Sequence, residues 1–99
     1  MRVAETTEVP AGSMRKVVVG GEEILIVNVG GKYYALGGKC THRGGDLSKG
    51  VLSGSVVRCP RHGARFDVAS GGVVGGPAKR SEPTFEVKVE GKNLLLRRS

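Results

Sequence analysis

Both cysteines and both histidines of this 99-residue chain fall in two short boxes, Cys40-Thr41-His42 and, after sixteen intervening residues, Cys59-Pro60-Arg61-His62. Thiolate and imidazole suit iron or zinc, whereas magnesium and calcium prefer oxygen. A structural zinc would take all four side chains on one tetrahedral ion. An iron–sulfur cluster could instead take the two cysteines on one iron and the two histidines on the other. Zinc fingers usually pair like with like. Here each box holds one cysteine and one histidine, which suits two loops that each give one ligand to each of two irons.

The elements that must carry these boxes read as short strands. Gly is frequent, at 17 residues, and aromatics are few, a composition that fits strands with tight turns better than helices. Val17-Val18-Val19 precedes Gly20-Gly21, and Glu22 to Val29 precedes Gly30-Gly31. Both Gly-Gly pairs predict two-residue hairpin turns. Lys32 to Leu36 is a third strand ending at Gly37-Gly38, so the first box hangs from a strand end. Val51-Leu52, a turn at Ser53-Gly54, and Val56 to Arg58 predict a small hairpin leading into the second box, with Ala64 to Val68 returning. Residues 71–76 lack the lysine and hydroxyl residue of a phosphate loop and read as a flexible connection. Phe85, Val87 and Val89 alternate with charged residues as a half-buried strand does, and a turn near Gly91 leads to a last strand over residues 93–97. The expectation is an antiparallel all-β sandwich, one domain over residues 1–99, with a small metal-carrying sub-domain over about residues 38–78.

Length and charge narrow the function. A chain this short buries only about 60–65% of its unfolded surface, so a metal centre tying two loops together would supply part of its stability. The apolar run Ile24 to Val27 is far too short to span a membrane, and the first residues have no signal-like apolar stretch. A soluble, cytoplasmic protein is expected. The net charge of +7 is spread along the chain without a dense basic run, and aromatics are too few for base stacking, so nucleic acid is not an expected partner. Locally, Lys39, Arg43, Arg61 and Arg65 flank the boxes and predict a positive mouth.

Cys40-Thr41-His42-Arg43-Gly44 together with Cys59-Pro60-Arg61-His62-Gly63 resembles the two cluster-binding loops of Rieske [2Fe–2S] proteins. The segment Ala64 to Gly71 is similar to the stretch after the second loop in the small Rieske ferredoxins of oxygenase systems. Gly76-Pro77-Ala78 is similar to the proline-containing loop that covers the cluster. The resemblance spans most of residues 30–97. It implies one [2Fe–2S] cluster per chain, with Cys40 and Cys59 on the buried iron and His42 and His62 on the outer one. High-potential members carry two extra cysteines that form a disulfide; Gly45 and Arg61 stand at those places here. With no spare cysteine, the chain suits a reducing compartment.

The resemblance also implies a role. Two ferric ions, two sulfides and two thiolates make an oxidised centre neutral and a reduced one singly negative. In high-potential members a serine and a tyrosine hydroxyl stabilise the negative state; Ala64 and Phe66 occupy those places and cannot donate. A low potential is expected, within a family range of about −150 to +300 mV. No flavin, nicotinamide or mononuclear-iron fingerprint is present, so no catalytic residue is expected. The implied function is a single-electron carrier, not an enzyme by itself, passing electrons from a reductase to an oxygenase or other terminal oxidoreductase. Its partners would be redox proteins that dock through an acidic patch. Two alternatives stay open: a small Rieske subunit of a larger enzyme such as nitrite reductase, and a zinc-stabilised interaction module.

Overall fold

A computed structural model describes residues 2–39, 45–60, 63–76 and 80–98. Ten strands are described: β1 (Arg2–Glu5), β2 (Met14–Val19), β3 (Glu22–Val29), β4 (Lys32–Gly37), β5 (Val51–Ser53), β6 (Val56–Arg58), β7 (Arg65–Asp67), β8 (Val73–Gly75), β9 (Thr84–Glu90) and β10 (Asn93–Arg98). Two short 3-10 turns, Thr6–Glu8 and Leu47–Lys49, are the only helical segments among the described residues. None is long and apolar enough to cross a membrane.

All pairings are antiparallel, as expected. One sheet has the order β1-β10-β9-β4-β3-β2, the other β5-β6-β7-β8. Val19 pairs with Glu22 and Val29 with Lys32, so each Gly-Gly pair is a two-residue turn. Gly20, Gly21, Gly30 and Gly31 all have positive φ, the backbone that a type I′ turn demands and that side chains resist. The larger sheet curls until Cα atoms of its edge strands β1 and β2 come within 8 Å of each other.

β3 explains how the two sheets share a centre. Its run Ile24 to Val27 is buried on both faces, with exposures of 0–1%. Ile24 and Ile26 pack inside the curled sheet with Ala35, Phe85 and Leu94. Leu25 and Val27 face the other way and pack with Leu36, Leu47, Val57, Cys59, Phe66 and Val68. The second core therefore joins the larger sheet to the one that carries the second box.

Three expectations need correction. Residues 2–5, for which the sequence suggests no strand, form β1 and pair with β10. The stretch 71–76 is no loose connection: Val73–Gly75 is β8, the edge strand against β7. The small hairpin turns at Gly54-Ser55, not Ser53-Gly54, since Ser53 pairs with Val56.

Candidate metal centre

Cys59 is the one expected ligand among the described residues; Cys40, His42 and His62 lie outside them, as do Arg43, Arg61, Pro77 and Ala78. The necks of both boxes are described. β6 ends at Arg58 and β7 begins at Arg65, and between them the Cys59 amide donates to the Ala64 carbonyl at 2.7 Å. Cys59 is 3% exposed, in no disulfide, and packs with Leu36, Leu47, Ala64 and Phe66. A buried, unbridged thiol at the mouth of a closed turn fits a soft metal ligand, and neither zinc nor an iron–sulfur centre asks more of it.

The first box leaves from the end of β4. Gly38 N–H donates to the Glu23 carbonyl at 2.9 Å, and Leu47 N–H donates to the Gly38 carbonyl at 3.0 Å. Lys39 and Asp46 form an antiparallel bridge, so the chain that departs at residue 40 has returned by residue 46. Asp46 Oδ1 then caps the turn Leu47–Lys49, accepting from Ser48 N at 3.0 Å and Ser48 Oγ at 2.6 Å. Leu47 is fully buried in the same core as Cys59. Gly50 lies against the Arg58 carbonyl, where a Cβ would collide. The bases of the two boxes, distant in sequence, thus stand on one apolar cluster.

Charged side chains brace the first neck. Lys16 Nζ lies 3.2 Å from Glu23 Oε1 and 3.1 Å from Asp46 Oδ2, while Lys39 Nζ lies 3.2 Å from Glu23 Oε2. The Ser48 hydroxyl, then Lys16, hold the Asp46 carboxyl below its ordinary value of 3.8. Lys39 and Lys16 likewise lower Glu23, and Asp46 and Glu23 raise Lys16. A carboxylate with a depressed folded pKa contributes stability above its unfolded pKa and loses it as pH falls through the folded one. Asp46→Ala should therefore cost about 1 kcal/mol at neutral pH, mainly through the lost cap. The deficit should be equal at pH 7 and pH 5, both above 3.8, and shrink only below that value. Denaturant unfolding at the two pH values measures it; a deficit already smaller at pH 5 would point to another group.

Two sequence expectations about charge change here. Lys39 is not a free member of a positive mouth, because its ammonium pairs with Glu23. Arg58, outside the set of residues expected at the mouth, lines an open cleft with Gly63, Arg65 and Gly76. Alternation could have found it: Val57 is fully buried, so its neighbour Arg58 must face out. The Lys16–Glu23–Asp46 brace had no sequence signal, since its members come together only through strand pairing. Gly76 lies so close to the second neck that a Cβ would stand 2.6 Å from Ala64 Cα. The described start of the proline-containing segment is thus in contact with that neck.

Comparison with known proteins places these features. The model of the Rieske [2Fe-2S] domain matches residues 1–96. The ferredoxin component of the naphthalene 1,2-dioxygenase system of Pseudomonas aeruginosa is 36% identical over 89 residues, covering 90% of this chain and 86% of that protein. Apoptosis-inducing factor 3 of Mus musculus is 40% identical over 97 residues, but the chain spans only 16% of its length. A chain of the solved complex of reduced oxygenase and oxidised ferredoxin in carbazole 1,9a-dioxygenase superimposes with a TM-score of 0.91 at 31% identity, covering 98% of this chain and 91% of that one.

Proposed function

The chain belongs to the Rieske [2Fe–2S] family, and on that premise we propose that it is a one-electron carrier between a reductase and an oxygenase or other terminal oxidoreductase, working in the cytoplasm. Residues 1–99 form one domain in this reading, with the cluster carried by about residues 38–78. Cys40 and Cys59 hold the inner iron; His42 and His62 hold the outer one. When bound, the cluster takes up and releases single electrons.

The chain's own residues do the positioning. The observation that carries the reading is the shared foundation of the two boxes: Leu47 after the first and Cys59 within the second are buried in one core. The Cys59–Ala64 hydrogen bond and the Gly38–Leu47 hydrogen bond close the two necks. Ala64 and Phe66, both fully buried, exclude water without offering a hydroxyl, which favours a low potential. The similar protein of Pseudomonas aeruginosa is a ferredoxin component, and this chain nearly matches it in length. A second reading, a Rieske segment of a longer protein, is favoured by the match to a small part of apoptosis-inducing factor 3.

Iron, labile sulfide and zinc measured on anaerobically purified protein, followed by voltammetry, test the reading. Two irons and two sulfides per chain are expected, with one reversible one-electron wave and a potential in the lower part of the family's range of about −150 to +300 mV. Stoichiometric zinc without sulfide would overturn it, and a clearly positive potential at neutral pH would remove the oxygenase assignment. Co-purification with a catalytic partner would instead favour a small Rieske subunit of a larger enzyme.

A further inference from the structure

We propose that a row of residues across the smaller sheet, Val51, Arg58, Arg65 and Gly75, is a docking lane for an acidic segment of the electron-transfer partner; this rests on the carrier reading above. Val51 pairs with Arg58, Arg58 with Arg65, and Arg65 with Gly75, so the row crosses all four strands, with the β7–β8 register shifting just after Arg65. Residues paired this way point to the same face of a sheet. The neighbouring pair Val57 and Phe66 fills the core on the opposite face, which leaves the row in solvent. Val51 is 64% exposed, and both arginines are exposed.

Like charges placed directly opposite one another destabilise a sheet. Nothing among the described residues offsets this pair, since no ion pair reaches Arg58 or Arg65. Asp67, two residues along the same strand face, uses its Oδ1 to accept from the Ala69 and Ser70 amides at 2.8 and 3.3 Å. Both guanidinium groups lie close to glycines that leave room for them. That of Arg65 lies beside Gly75, where a Cβ would collide with Nη2 and stand 2.8 Å from Nε. That of Arg58 lies 3.3 Å from where a Cβ on Gly63 would be. Together with Gly63 and Gly76 they line an open cleft of about 370 Å³.

Two planar forks of like charge on adjacent strands match carboxylates. The exposed Val51 beside Arg58 argues for a protein surface over a free anion, because interface cores mix apolar side chains with arginine and are depleted of other charges. The lane also lies where an electron carrier needs it: Arg58 directly precedes Cys59, and Gly63 and Gly76 flank Ala64 at the second neck. Docking is thereby moved off Lys39, which is paired, and onto the flank of the smaller sheet.

Dye-labelled hexaglutamate titrated against the cluster-loaded protein at low salt, read by fluorescence anisotropy, tests this. Arg58→Gln and Arg65→Gln should each weaken binding by about fivefold or more. Gly75→Ala should also weaken it, although net charge is unchanged, because the new Cβ displaces the Arg65 guanidinium. Lys88→Gln, on the larger sheet, should leave it within about 1.5-fold of wild type. No binding by wild type, or an equal loss in Lys88→Gln, overturns the lane in favour of diffuse charge. Tighter binding of inorganic phosphate than of the peptide overturns it in favour of a free-anion site. The assay does not read electron transfer: a variant set that binds alike while wild type keeps its one-electron wave removes the lane and leaves the carrier reading intact.

Discussion

Cys59→Ala will yield a colourless protein with little iron or labile sulfide, and its thermal midpoint will fall by about 10 °C or more. The side chain is small, so the cavity alone would account for only part of that loss. The larger part would be loss of the proposed metal tie between the two boxes. Without it, the necks keep their own hydrogen bonds, Cys59 N–H to the Ala64 carbonyl and Leu47 N–H to the Gly38 carbonyl, but lose the proposed metal tie. Cys59→Ser separates the causes, since it keeps the volume and changes the ligand. Both variants should bleach alike, as judged by visible absorbance and metal analysis. Full colour and stoichiometric sulfide in either would exclude Cys59 as a ligand.

The double variant Ala64→Ser, Phe66→Tyr should raise the midpoint potential by on the order of 100 mV. A hydrogen bond to a charged group is worth about 1.5–3 kcal/mol, and only the excess for the negative state counts. At 59 mV per tenfold change for one electron, two such excesses give this order. Both positions are fully buried, which makes the result diagnostic. A hydroxyl that finds its acceptor costs little stability. One left unsatisfied costs about 1–3 kcal/mol. A raised potential with a nearly unchanged thermal midpoint is therefore expected. An unchanged potential with a clear loss of stability would show that the hydroxyls point elsewhere and would remove their absence as a ground for a low potential.

Much of the fold could be read from local chemistry. Gly20-Gly21 and Gly30-Gly31 located two hairpins because two adjacent positive φ angles exclude most side chains. The alternation at Phe85, Val87 and Val89 located β9 by its period of two, although only Phe85 is buried, Val87 is half-buried and Val89 is exposed. Local chemistry failed at β1 and β8, two edge strands. Arg2–Glu5 is polar at both ends, and Val73–Gly75 is short and bounded by glycine. Neither has enough apolar pattern to announce itself, and each is held by the backbone of a neighbour, β10 or β7.

The candidate centre divides along the same line. Ligand chemistry is a property of residue type, so Cys40 with His42 and Cys59 with His62 can be proposed as a ligand set without coordinates, and the absence of hydroxyls at Ala64 and Phe66 is read the same way. The surroundings were not, because they depend on which strands pair. Only pairing of β2 with β3 sets Lys16 beside Glu23, and only the return of the chain at Asp46 completes that brace. Only the register of β5, β6, β7 and β8 aligns Val51, Arg58, Arg65 and Gly75. The chain thus determines by itself what a site can bind, since donor atoms belong to residues. Tertiary structure decides what braces that site and which face it offers a partner, since those are distances between residues remote in sequence.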